Sequence, residues 1–272
     1  MRLSKKYAIC LLLSFVLTGI MAMGAAPTDK PDKEPVDKIT FVHYPKENPG
    51  NAFGKPDGSA AIGSGTGTLS KSYKYSGIHW ADPTNITYYV NATANYTYIG
   101  AEAALAAAMA TWDSASYALH FSDAGATNKT AGNDNDGYNV ISWGPISYSN
   151  AIAVTYIWYL RNSKTIIECD TIMNISLPWS YTAPNVTNEL RGKAGSDMTQ
   201  YGDPTNSDVA SPYAYDIQDI MTHEAGHWLM LGDLYGSQDS YLTMYGYGAK
   251  GELKKDTLGY GDELGVEYVY RP

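Results

Sequence analysis

The sequence predicts an α+β fold, a mixed sheet with helices packed on it, and three observations lead there. Short runs rich in β-branched and aromatic residues recur at 86–90 (ITYYV), 139–143, 151–160 and 165–173, separated by Gly, Pro, Ser and Asn. Residues 101–116 place Ala104, Leu105, Ala108, Met109 and Trp112 at helical spacing, one apolar stripe that would face a sheet. A second helical stretch comes late, within 216–235 (DIQDIMTHEAGHWLMLGDLY). Strands, a helix, more strands and a late helix fit one layered domain.

Taken in order, residues 1–26 have the layout of a secretory signal. Arg2, Lys5 and Lys6 precede an apolar run at 8–20, and small residues close the segment at 23–26. The run is short for a membrane span, so an exported chain with no span after cleavage is expected, secreted or held at the cell surface. Of two cysteines only Cys169 then remains, which rules out an intrachain disulfide and reads as a buried, inert thiol. Residues 27–74 are rich in Pro, Lys, Asp, Gly and Ser, with one strand-like run at 39–44 (ITFVHY), and read as a pro-segment or linker that buries little. Within it only His43 and Asp57 could reach over and block a metal, and no motif supports either.

The folded domain is expected at 75–272, beginning with the strand at 86–90. After the stripe-bearing helix come a short strand at 119–121 and a polar loop at 132–137 (GNDNDG). That loop resembles half of a calcium loop, but no acidic residue stands at the closing position, so a solvated loop is favoured and Ca2+ has no other support. Residues 178–212 lack periodicity, and a long irregular loop leading into a helix is more often functional than not. Six N-x-S/T acceptors, at Asn85, Asn91, Asn95, Asn128, Asn174 and Asn185, are candidate glycan sites in an exported chain.

The net charge of -9 comes without any run of Lys and Arg that would offer phosphates a positive track, which argues against nucleic acid as a partner. The 24 Tyr against 4 Phe fit half-buried sheet and surface, where a ring must also offer a hydroxyl.

Chemistry concentrates in the late helix. His223 and His227, four residues apart, project from one helical face one turn above the other, so both imidazoles can reach one zinc ion. Glu224 follows the first directly and points to where a metal-bound water would sit, placed to take its proton. Asp233, just past Gly232, is the candidate third ligand, with the glycine turning the chain out of the helix. Asp216 caps the helix, and Asp219 three residues on makes a carboxylate variant of the capping box. A closed structural zinc site needs four protein ligands, whereas these are three beside an acid, so an enzyme is favoured over a surface or structural module with zinc as a staple. A gluzincin arrangement, with the third ligand a Glu on a later helix, would have to use Glu252.

HEAGHWLMLGD, then TMYGY, then DELGVEYVY, after ITYYVN, a helix ending in TW, and ECDTIMN, together resemble the metzincin zinc endopeptidases, and within them the matrixin-like branch. The resemblance spans about residues 75–270 and is most specific in the last third. It implies a mostly parallel twisted sheet with one antiparallel edge strand at 151–160, an active-site helix and a C-terminal helix. It further implies one catalytic zinc on His223, His227 and Asp233, with Glu224 as acid/base and Met244 as the Met-turn flooring the metal. Protein or peptide substrates would pair with the edge strand at Ala151, Ile152, Ala153 and Val154 through main-chain hydrogen bonds. Two departures stand out. The third ligand is Asp where the family usually has His, and Met230 replaces a Gly three residues after His227, which would force a side chain into a left-handed turn. Gly246 occupies the position where some relatives place a Tyr ligand, so none is assigned.

Overall fold

The computed structural model describes residues 34–46, 70–91, 100–132, 134–181 and 211–271. The expected signal at 1–26, Asp57, the acceptors Asn95 and Asn185, and most of the 178–212 loop lie outside them. Nine strands and three α-helices are described. The strands are β1 (Val36–Pro45), β2 (Ile86–Asn91), β3 (Phe121–Thr127), β4 (Val140–Gly144), β5 (Ala153–Leu160), β6 (Ile166–Asn174), β7 (Trp179–Ser180), β8 (Tyr215–Asp216) and β9 (Tyr247–Gly248). The helices are α1 (Ala101–Asp113), α2 (Ile217–Trp228) and α3 (Tyr260–Val269).

The fold is α+β with a mixed, mostly parallel sheet in the order β3-β2-β4-β6-β5-β1-β9. Strands β3, β2, β4 and β6 run parallel, β5 runs antiparallel to β6, and β1 runs antiparallel to β5 along its length and parallel to β9. Two expectations are corrected. The antiparallel strand β5 is not an edge, because β1 covers it. Residues 36–45 are no linker either: they form a paired strand whose Phe41 and His43 lie against the rings of His227 and His223, with Ile39 packed on the core.

The stripe on α1 is buried as its spacing requires, and it packs chiefly on α2, less on the sheet. Trp112 pins the two helices by donating its indole N–H to the Thr222 carbonyl at 2.7 Å. Helix α2 is buried on all sides. Cys169 is buried, and burial pushes its thiol well up, so it stays unreactive. Two glycan acceptors are engaged in the fold: Asn91 donates to the Lys129 carbonyl and Asn174 to that of Ala151. Among the described residues no helix is long and apolar enough to cross a membrane.

Candidate metal centre

The site is built on α2. Asp216 accepts hydrogen bonds from the backbone N–H groups of Gln218 (2.9 Å) and Asp219 (3.1 Å), satisfying two donors that a helix start leaves open. The expected reciprocal cap does not form. Asp219 instead accepts the backbone N–H of Lys255 at 2.8 Å, tying a later loop to the helix.

At the other end, Leu231 N–H bonds the Gly226 carbonyl (3.0 Å) and Met230 N–H that of His227 (2.8 Å), the paired closure of a Schellman motif. Its left-handed residue is Met230, with φ 61°. The turn is therefore at Met230 and not at Gly232, as the sequence had implied. Gly232 has a different reason to lack a side chain: its N–H bonds the Lys74 carbonyl, and a Cβ there would lie 3.3 Å from that of Lys74.

This turn makes the Leu231 carbonyl the acceptor for His227 Nδ1–H (2.8 Å), while the Thr243 carbonyl accepts from His223 Nδ1–H (2.7 Å). With Nδ1 protonated, each Nε2 presents a lone pair, the tautomer a metal needs. Both lone pairs face Asp233 Oδ1, at 3.1 Å from His223 and 3.5 Å from His227. All three atoms are buried and none has a hydrogen-bond partner. Ligand atoms held about 2.0–2.1 Å from a tetrahedral zinc ion lie roughly 3.3 Å apart, so the spacing fits such a cation. Burial holds His223 down to about 4, so its Nε2 stays free. At His227 burial lowers the imidazole, but the Asp233 carboxylate, with Glu224 and the Leu231 carbonyl, together outweigh it and the imidazole is raised.

Glu224 stands beside the triad with both oxygens engaged. Oε2 accepts from the Thr155 hydroxyl at 2.6 Å, Thr155 lies 2.7 Å from the Thr171 hydroxyl, and that oxygen accepts the Trp228 indole N–H at 2.9 Å. Oε1 accepts His43 Nδ1–H at 3.0 Å. Burial lifts the Glu224 carboxyl to about 7.

Met244 lies under the helix as a floor. Its sulfur is 2.2 Å from where a Cβ on Gly226 would stand, and Trp112 is 2.7 Å from the same point, so only glycine fits between the two histidines. The Asp262 carboxylate accepts the N–H groups of Thr243 (2.7 Å), Met244 (3.1 Å) and Gly259 (2.8 Å), which fixes the turn that orients His223.

The groove beside the triad holds β1. His43 pairs with Ala153 and Val42 with Val154, and Ile152 N–H donates to the His43 carbonyl at 2.7 Å. Ala151 stands outside this ladder, bonded to Tyr148 and Asn174. Phe41 and His43 project to the same face, where Phe41 stacks on His227 (centroids 4.0 Å apart, 6° between planes) and His43 on His223 (4.0 Å, 32°).

His43, His223 and Glu224 form a second close group of possible ligands, but there His43 and Glu224 already bond each other. Glu252 is elsewhere: one oxygen accepts from Ala249 N–H and the other pairs with Lys254. Sequence reading missed Thr155, Lys255, Asp262 and Tyr235. Burial, and with it the neighbouring Asp233, pushes the Tyr235 phenol far above its ordinary value, while its ring fills the space that Gly246 leaves open. The pattern TMYGY marks the turn but not the acid that holds it. No family model matches the chain, and no curated protein matches it.

Proposed function

We propose that the chain is a secreted zinc-dependent endopeptidase of the metzincin type, matrixin-like, whose own strand β1 lies in the substrate groove. One observation carries the reading: three buried atoms without partners, His223 Nε2, His227 Nε2 and Asp233 Oδ1, converge beside Glu224 under an extended strand paired antiparallel with β5. Unpaired buried acceptors are costly, and a cation at their centre relieves that cost.

A zinc ion bound there supplies an acidified water and a Lewis acid next to the scissile carbonyl. The chain's own groups do the rest. Main-chain atoms of Ile152, Ala153 and Val154 hold an extended peptide as they now hold β1, which accepts many sequences. Glu224, oriented by Thr155, takes a proton from the attacking water and hands it to the leaving amine. With its carboxyl near 7 it is suited to both transfers. While β1 is seated, His43 occupies Glu224 and the groove is filled, so the full chain is expected to be slow.

The test combines metal analysis of the secreted protein with cleavage of a denatured substrate, with and without a chelator. Zinc in one equivalent, cleavage lost with the chelator, and a Glu224→Ala variant that keeps zinc but loses cleavage are expected. Unchanged cleavage by Glu224→Ala would remove the hydrolase mechanism and leave a zinc-stapled module.

A further inference from the structure

Lys255 is fully buried, and its ammonium donates to the Tyr247 carbonyl at 2.9 Å and to His43 Nε2 at 3.1 Å. Burial works against the Lys255 charge and Asp219 and Glu252 offset part of that from nearby, yet the Asp219 oxygen that touches this residue takes its backbone N–H, and Glu252 is paired with Lys254. The hydrogen bonds run in one sense: ammonium to His43 Nε2, then His43 Nδ1–H to Glu224. The His43 side chain is wholly enclosed, and Gly248 makes the room. A Cβ there would stand 3.1 Å from His43 Nε2, with Ile152 and Ile220 equally close. The pocket thus has Ile152 and Ile220 on its walls, the Glu224 carboxylate and the His223 ring on one side, and a cation at its floor.

When another peptide takes the place of β1, the ammonium keeps one acceptor and loses the other. A buried ammonium without an acceptor is costly, so the entering side chain decides how well the peptide seats. We propose that Lys255 makes the pocket filled by His43 a subsite selecting side chains with a hydrogen-bond acceptor at the tip, such as glutamine, glutamate or histidine, over apolar or basic ones. The glutamine and glutamate tips lie as many bonds from Cα as imidazole Nε2, so they reach the same point. Selection of substrates rests on the peptidase reading, but the preference of the pocket is measurable on the intact chain without catalysis.

The experiment replaces His43 in the full-length protein and reads hydrogen exchange of the β1 amides, with β4 and β6 amides as the folded reference. In His43→Gln the β1 amides should stay protected. In His43→Leu and His43→Lys they should exchange roughly ten- to a hundredfold faster, the effect of losing a bond to a charged group. Adding Lys255→Met should erase the difference between the Gln and Leu variants while the reference amides hold. Equal protection in His43→Leu and the parent, or equal loss in the Gln and Leu variants, overturns the proposal. A second reading maps cuts made by the zinc-loaded chain in denatured proteins, where acceptor-bearing residues should be enriched beside the cut and Lys255→Met should abolish the enrichment. If exchange follows the expected ranking but nothing is cut, only the peptidase reading falls; if cuts occur without the ranking, only this subsite does.

Discussion

Two clusters of polar side chains in this chain differ in what they leave open. In the first, His223, His227 and Asp233 have one atom each aimed at a common point, and none of the three is bonded. In the second, around the 132–137 loop, Asp170 accepts from Gly132 N–H (2.6 Å) and Val140 N–H (2.9 Å), Glu168 accepts from Gly137 N–H, and Asp136 pairs with Lys129 at 2.9 Å. Among the buried atoms of the described residues there, only Glu168 Oε1 has no partner. Backbone N–H groups and a lysine already do what a cation would do, so the cluster holds a loop. Convergent unsatisfied atoms separate the candidate metal centre from a loop anchor.

The largest effect that would break this contrast is on metal affinity. Losing one of three ligands in His227→Ala should cost about 4 kcal/mol of zinc binding, on the order of a thousandfold, measured by competition with a chromophoric chelator. Affinity that drops less than tenfold would mean the ion is held elsewhere. The next effect falls on the other cluster. Asp170→Ala strands two backbone N–H groups and should cost about 2–4 kcal/mol in urea unfolding, with zinc affinity unchanged. Calcium should leave that stability where it is; a rise in melting temperature on adding calcium would turn the anchor into a site.

A smaller effect depends on pH. Burial raises the Glu168 carboxyl from 4.5 to about 7. Between those values the folded chain binds more protons than the unfolded one, so stability is greatest below the window and falls as pH rises through it. Asp170, raised from 3.8 to about 7 mainly by burial, has the same sign. Glu168→Gln should therefore flatten part of the decline in melting temperature between roughly pH 5 and pH 8. An unchanged slope would show that the carboxyl is solvated in the folded chain.

How much of this was legible follows from which interactions are local. The histidines, Glu224 and the Asp216 cap lie on one helix, and Met244 belongs to a short pattern near it, so spacing alone points to them. Helix and strand types came from periodicity, with limits off by a few residues and β3 underestimated because its exposed residues 123–126 (DAGA) lack apolar alternation. The role of residues 36–45 was not readable from composition. His43 was singled out as able to reach a metal, but nothing local tells that it contacts Glu224, 181 positions away, because that contact is set by pairing with β5. Thr155, Lys255 and Asp262 are hidden likewise: their partners lie across the sheet or beyond a loop, where no fixed spacing exists.

The smallest expected effect concerns Met230, where two opposed costs meet. Left-handed backbone on a side chain costs about 1–2 kcal/mol, which favours Met230→Gly. The same side chain is only 2 % exposed, and burying a methionine contributes about 1.5–3 kcal/mol, which favours keeping it. Glycine also gains freedom in the unfolded chain, by a further fraction of a kcal/mol. The terms nearly cancel, so Met230→Gly should shift unfolding by no more than about 1–2 kcal/mol, towards lower stability, and leave zinc affinity within about threefold. The backbone bonds that close the turn do not involve the side chain, so the Leu231 carbonyl should still meet His227. A tenfold fall in zinc affinity without a matching loss of stability would show that the methionine itself, and not the turn, aims the third ligand.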